Sequence, residues 1–165
     1  MKSYRKTSQL QIRVSPAQKT VIGRYAKNAG MGVSQWVLQR VFPPAQEAFQ
    51  ALLSKLKDGS DTKLILAQVH DLLHEVTPAE FDLMVALPPA AVLSDYLANY
   101  IAAMIEYTAV QKKRKAPRWT RMVPPLSEPV FVSDLKSLRL YLLTHSPPPF
   151  RRRNLFVDTT IGGRV

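Results

Sequence analysis

The chain has 165 residues, of which 46% are hydrophobic, so its length and composition suffice for one or two domains with a real core. The absence of cysteine excludes a disulfide framework, a cysteine-ligated zinc site and a cysteine nucleophile. There is no apolar run of about 18 residues, and the N-terminus lacks the apolar core of a signal peptide. We therefore predict a cytoplasmic protein with no membrane span.

The net charge of +11 is distributed unevenly along the chain. Residues 1–46 contain eight Lys and Arg and no acidic residue, whereas residues 47–110 contain three basic and nine acidic residues. Residues 111–165 are basic again, with twelve Lys and Arg and three acidic residues. The basic N-terminal segment favours binding to phosphates, and the acidic centre indicates a different task.

The N-terminal segment predicts one strand followed by two helices. Polar and apolar residues alternate over residues 9–14, which is the pattern of a strand with one buried face. Ser15 and Pro16 are suited to the N-cap and the first position of a helix, and Gly30 is suited to end that helix in the left-handed conformation. Ser34 is predicted to open the second helix, which ends at a Pro-Pro pair.

One strand and two helices are too few to bury a core, and the strand needs a pairing partner. The segment therefore predicts a homodimer in which two strands pair as a ribbon over four helices. The outward residues of this ribbon are Gln9, Gln11 and Arg13, and Gln and Arg are the side chains that read adenine and guanine edges in the major groove. The alternative interpretation is an edge hairpin of an ordinary α+β domain.

These residues resemble the ribbon-helix-helix DNA-binding family, the fold of the Arc and MetJ repressors and of many antitoxins. The resemblance lies in the Gln-x-Gln-x-Arg alternation, the Ser-Pro helix start, the Gly30 break and the start of the second helix. It implies that this helix start, at Val33 and Ser34, grips a DNA phosphate. The positions that correspond to the buried Arg-Glu-Arg triad of Arc hold residues that cannot form it: Met31, Trp36 and Arg40.

The first eight residues form a basic arm ahead of the predicted strand. We predict that Lys2, Arg5 and Lys6 contact phosphates beside the ribbon. The alternative is a solvated terminal tail.

Beyond the N-terminal segment, apolar residues recur at helical spacing. Thr77 begins one helix with a capping box, and Ser94 begins a longer one. Four prolines over residues 117–130 predict a segment without regular structure, Ser133 is expected to cap a last helix, and residues 154–158 alternate as a short strand.

The predicted protein is therefore mainly α. A ribbon-helix-helix domain over residues 1–44, with one strand per subunit, provides DNA binding and dimerisation. A helical region with a Pro-rich segment follows over residues 45–165 and is predicted to bind a partner.

The chain offers little for catalysis. His70 and His74 stand four residues apart, as in the His-Glu-x-x-His zinc motif, but Asp71 occupies the position of its Glu and no further ligand follows at a recognisable spacing. A Gly-rich phosphate loop and a Gly-x-Ser-x-Gly elbow are both absent from the sequence. We predict a protein that is not an enzyme and that takes no metal or other cofactor.

The family resemblance implies an antitoxin of a type II toxin–antitoxin system, which binds operator DNA, represses its own operon and neutralises a toxin through its C-terminal part. Residues 148–158 also resemble segments of proteins encoded beside nucleotidyltransferase-type toxins. Aromatic anchors and bidentate Arg donors suit a protein interface. The residues predicted to contact the toxin are Trp119, Phe131, Phe150, Arg151, Arg152 and Arg153.

Two other functions fit the same organisation. One is a one-component transcriptional regulator whose helical domain senses a small molecule. The other is a plasmid partition or relaxosome accessory protein. A pull-down would distinguish the three functions. A stable toxin favours the antitoxin, a small ligand that shifts operator affinity favours the regulator, and a motor protein or relaxase favours the accessory protein.

Overall fold

The computed structural model describes residues 11–41, 43–57, 62–133 and 135–158. The chain divides into two compact units, Met1–Val41 and Phe42–Val165, and each is described by itself. Over the described residues the chain is mainly helical, as predicted, and each of its two strands has two residues. No described helix is both long and apolar enough to cross a membrane.

The N-terminal unit contains the helices α1 (Pro16–Asn28) and α2 (Val33–Val41). Residues 11–15 lead into α1 without regular secondary structure in the single chain. Ser15 is the N-cap of α1, as predicted: its Oγ accepts from the Gln18 N–H, and the Gln18 side chain accepts from the Ser15 N–H. This reciprocal pair satisfies two backbone donors at the helix start.

The turn between the two helices depends on Gly30, which has a φ of +66°. The predicted left-handed glycine is therefore confirmed. The predicted start of α2 at Ser34 is one residue late, because the Trp36 N–H donates to the Gly32 carbonyl over 2.9 Å and the helix begins at Val33. Ser34 instead lies in the first helical turn.

The C-terminal unit begins with four helices: α3 (Pro44–Lys57), α4 (Thr62–Glu75), α5 (Pro78–Met84) and α6 (Asp95–Gln111). The predicted capping box at Thr77 and the predicted N-cap at Ser94 are both present. The predicted break at residues 59–60 and the predicted helix start at residue 60 lie outside the described residues. The predicted apolar stripes of these helices supply the core, which includes Phe49, Leu53, Leu56, Ile65, Val69, Leu73, Phe81, Met84, Ile101 and Ile105.

The chain after α6 is more ordered than the prolines predicted. A 3-10 helix spans Arg118–Met122, and strand β1 (Val130–Phe131) pairs in parallel with strand β2 (Leu155–Phe156). After a second 3-10 helix (Lys136–Leu138), α7 begins at Arg139 and ends at His145, so Ser133 does not cap it. The Ser133 Oγ instead accepts from the N–H of Leu135.

The sequence did not predict helix α8 (Pro148–Arg151). Prolines are compatible with the first turn of a helix, because their missing N–H would have no partner there.

Helix α6 is the centre of the C-terminal unit. Ten of its residues are buried, and it contacts α4, α8 and the first 3-10 helix. A helix that is buried on nearly every side must satisfy its polar side chains from the elements around it. Asn99 and Glu106 are such residues: the Asn99 amide donates to the Asp95 carbonyl of α6 and to the Pro124 carbonyl, and Glu106 accepts from Arg153.

Candidate binding surfaces

The predicted base-reading residues lie just ahead of α1. Gln11 and Arg13 are exposed, and so are Ile12 and Val14, the apolar residues with which they alternate. The face that the sequence predicts to be buried is therefore uncovered in the single chain. Gln9 and the basic arm with Lys2, Arg5 and Lys6 lie outside the described residues.

The N-terminal unit has almost no core of its own. Among its described residues, Ala26 is the only buried hydrophobic residue. The rings of Tyr25 and Trp36 stack between the two helices with centroids 5.9 Å apart, and the guanidinium of Arg40 lies 5.5 Å from the Trp36 ring. Seven large apolar side chains of the unit remain exposed: Ile12, Val14, Val21, Tyr25, Val33, Leu38 and Val41.

The predicted phosphate site is the start of α2. Val33 and Ser34 are exposed, and the first N–H groups of a helix have no acceptor within it. No acidic residue lies in this first turn, so the partial positive charge of the helix end is not neutralised there. Such a helix start is suited to an anion.

Trp119 and Phe131, two of the predicted partner contacts, are half-buried. The Trp119 Nε1–H donates to the Val85 carbonyl over 2.9 Å, which fixes the indole on α5. Phe131 stacks on Phe156 across the two strands, with centroids 4.9 Å apart, and the Arg139 guanidinium lies 5.1 Å from its ring. Each residue therefore keeps only part of its surface for a partner.

Phe150 and Arg153 are not surface contacts, which corrects the predicted partner-binding set. Phe150 is buried, and its ring meets Tyr100 and Tyr107 edge-on. Arg153 is buried against Glu106 on α6, with Nη2 2.7 Å from the carboxylate. Its remaining contacts are to the Asn99 side chain and to the carbonyls of Thr120 and Val123.

The physical reason for this placement is the number of donors on a guanidinium. Arg153 can bond to α6 and to two carbonyls of the Pro-rich segment at once, and so joins them. The available signal in the sequence was Glu106, the only charged residue of residues 96–110. Arg151 and Arg152 are exposed, and Arg152 makes the outer ion pair with Glu106 over 3.1 Å.

A leucine-rich surface lies on α7 and the 3-10 helix before it. Of the residues of α7, only Leu142 is buried. The exposed residues, which we call the leucine face, are Leu135, Leu138, Leu140, Tyr141 and Leu143. Lys136 and Arg139, both exposed, belong to the same stretch.

The C-terminal unit also has an apolar groove of about 330 Å³. Trp119 lines it from the first 3-10 helix. The other lining residues are Pro88, Pro89, Ala91, Leu93, Ala98, Met122 and Val123.

The two histidines of α4 lie side by side, with ring centroids 4.3 Å apart. No group of three or more potential metal ligands occurs among the residues that the structure describes. Burial lowers the pKa of His74, and the nearby positive charges of His70 and Lys112 lower it further, while Asp71 opposes them. The Lys112 Nζ donates to the carbonyl of His74, which ties the ends of α4 and α6 together.

No protein family matches this chain, and neither a curated protein nor a solved structure shows significant similarity to it.

Proposed function

We propose that this chain is an antitoxin that binds operator DNA as a ribbon-helix-helix homodimer, represses its own operon and neutralises a toxin through its C-terminal unit. The observation that carries the proposal is the missing core of the N-terminal unit. The two helices and the described residues before them expose seven large apolar side chains, and Ala26 is the only hydrophobic residue that they bury among the described residues.

A second copy of the chain would cover this apolar surface. Full burial of a Val, Leu or Ile side chain contributes about 1.5–3 kcal/mol, so several such residues provide a strong drive to associate. Residues 11–14 form no regular secondary structure in the single chain, so their backbone groups can pair with a second strand. In the proposed dimer, Ile12 and Val14 turn towards the helices, because side chains alternate along a strand.

The same alternation would present Gln11 and Arg13 on the outer face of the ribbon. DNA is the partner that fits, because residues 1–46 contain eight basic residues and no acidic one. The exposed start of α2 at Val33 and Ser34 would hold the backbone and set the register, while the ribbon reads bases.

Dimerisation is tested first by sedimentation equilibrium of the full chain. We expect a mass of twice 18.6 kDa, and Ile12→Pro should convert the dimer to a monomer by removing a ribbon hydrogen bond. The matched control is Val92→Pro, a proline substitution at an exposed residue outside regular secondary structure in the C-terminal unit. A wild-type monomer with folded α1 and α2 would contradict the proposal.

For toxin binding, the support comes from the leucine face. Leu135, Leu138, Leu140 and Leu143 are all exposed in one short stretch of chain, and large exposed apolar residues grouped in this way are typical of protein interaction sites. The exposed cations Lys136 and Arg139 make an acidic protein surface the complementary partner.

A co-purification experiment with the protein encoded beside this gene tests the leucine face. Leu140→Ser should abolish capture of that protein and protection of cells from it. Leu64→Ser alters a comparably exposed leucine on α4 and should leave both unchanged. Equal capture by the two variants would contradict the assignment of the leucine face.

The apolar groove favours a second candidate function, a regulator that senses a small apolar molecule. Trp119 lines the groove, so its fluorescence in a Trp36→Phe background would report binding. A ligand that changes this signal and also shifts operator affinity would favour the regulator over the antitoxin.

A further inference from the structure

We infer that the C-terminal unit carries a second surface for the phosphates of duplex DNA, formed by Lys113, Lys115, Arg118 and Arg121. We call these four residues the basic surface. The inference rests on the DNA-binding function proposed above, and adds contacts outside the N-terminal unit. All four side chains are exposed, and none makes an ion pair with a residue that the structure describes.

The first half of the basic surface, Lys113 and Lys115, lies in a loop over residues 112–115. The other two cations of this loop, Lys112 and Arg114, hold it in place. The Lys112 Nζ donates to the carbonyls of His74 and Val76, at the end of α4. Arg114 forms a two-point ion pair with Asp82 on α5. Lys113 and Lys115, which lie between and after these anchors, are exposed, and their side chains make no such bond with any residue that the structure describes.

The backbone of this loop is fixed as well. Lys113 has a φ of +55°, a left-handed conformation that is uncommon for a residue with a side chain. The loop also borders a groove of about 420 Å³, which Asp82, Val85 and Pro117 line together with the loop cations. The single carboxylate in that lining is already neutralised by Arg114.

The second half of the basic surface is the first 3-10 helix. Side chains three residues apart fall on the same side of a 3-10 helix, so Arg118 and Arg121 share a face. Thr120 is buried and Trp119 is bonded to the Val85 carbonyl, which fixes the opposite face on the unit. The two arginines are therefore presented to solvent by an anchored element.

Charge and spacing favour the phosphates of DNA. A 3-10 helix rises about 2.0 Å per residue, so Arg118 and Arg121 are separated by about 6 Å along its axis. A DNA strand carries a phosphate every 3.4 Å or so along the helix axis, so two such arginines can meet phosphates of one strand. Contacts of single cations with phosphates add affinity but no base preference.

The test compares three variants of the full chain. In the first, the four residues of the basic surface are changed to Gln. The other two lose the same charge as each other: the pair variant changes Lys113 and Lys115 to Gln, and the control changes two exposed lysines of α3 and α4 to Gln, Lys55 and Lys63. The affinity of each for its selected operator duplex is measured across salt concentrations.

We expect the slope of log K against log salt to fall in magnitude by about 2–4 in the first variant, since each phosphate contact contributes about 0.9. The control slope should match wild type, and base preference should be unchanged in all three. The variant with both Lys113→Gln and Lys115→Gln should show about half the fall in slope. It replaces the fourfold variant in the test if that variant fails to fold.

The outcomes separate this inference from the proposed function. If wild type binds no DNA, both are overturned. If wild type binds DNA and the basic-surface variant keeps the wild-type slope, only the second surface is overturned. If the basic-surface variant keeps the wild-type slope but no longer captures the toxin, the second DNA surface is also overturned, and the basic surface is assigned to the protein partner.

Discussion

Two arginines beside one glutamate provide a direct comparison at the residue scale. Both Arg152 and Arg153 pair with Glu106, but the side chain of Arg153 is 7% exposed and that of Arg152 is 69% exposed. Arg153→Ala removes the donor of the buried Glu106 Oε1 and of two carbonyls, and Arg152 still pairs only with Oε2, so the free energy of unfolding should fall by about 3–5 kcal/mol. Urea denaturation of the full chain measures this.

Arg152→Ala is the control for that prediction, because a solvent-exposed pair contributes at most about 1 kcal/mol. The fall for Arg153→Ala should greatly exceed the fall for Arg152→Ala. Equal effects of the two substitutions would contradict the buried role of Arg153.

The histidine pair predicts a dependence of stability on pH. The pKa of His74 is lowered in the folded chain, so between that lowered pKa and the ordinary value of 6.5 the unfolded chain binds more protons. The free energy of unfolding should therefore fall as the pH drops below 6.5, and stop falling below the lowered pKa.

His74→Gln should flatten this dependence, and His145→Gln on α7 is the matched control. The measurement is urea denaturation between about pH 5 and pH 8, the range in which histidine titrates. A His74→Gln variant with the wild-type pH dependence would refute the assignment.

The sequence predicted individual residues where the cause is local. Ser15, Thr77, Ser94 and Gly30 act within their own turn, so short patterns identify them. The pair Glu106–Arg153 spans 47 residues of chain, and only the fold brings its members together. Arg153 was therefore predicted as a surface contact although it is buried.

At the scale of elements, two glycines of the N-terminal unit predict opposite effects. Gly23 lies inside α1 with no atom within 4 Å of an added Cβ, so Gly23→Ala should stabilise the chain by about 0.5–1 kcal/mol. An added Cβ would also meet no atom at Gly30, but the φ of +66° there is strained for any residue with a side chain. Gly30→Ala should therefore destabilise by about 1 kcal/mol, the approximate cost of a left-handed residue.

Thermal unfolding of the two variants, monitored by circular dichroism, measures this difference. Gly30→Asn should lose less than Gly30→Ala, because Asn tolerates the left-handed conformation. A stabilising effect of Gly30→Ala would show that the turn does not need this conformation.

Helical periodicity predicted α3, α4, α5 and α6, because each of these helices buries a stripe of apolar residues that recur at helical spacing in the sequence. It missed α8 and the 3-10 helix Arg118–Met122, which are short and lie among prolines. Their positions depend on contacts with α6, and a local pattern does not contain that information. The start of α2 was misplaced by one residue because Gly32, and not a serine, precedes it.

At the scale of the whole molecule, the chain after α6 is part of the core of the C-terminal unit. Phe150, Leu155 and Val157 are buried in the same cluster as α6. A truncation after Gln111 would expose that cluster, so it should unfold the C-terminal unit. Limited proteolysis should cut α3 to α6 far faster in the truncated chain than in the full one, and equal resistance would contradict this.

The central claim is that two copies of the chain read DNA through a shared ribbon. Its most direct test is selection of binding sites from a randomised duplex library, with wild type and with Arg13→Ala. We expect wild type to select a site with two symmetric half-sites, since a two-fold dimer reads each half alike. Arg13→Ala should lose preference at one base pair in each half-site, at a cost of about 1–3 kcal/mol per position. An identical selected site for both proteins, or no selected site for wild type, would contradict the claim.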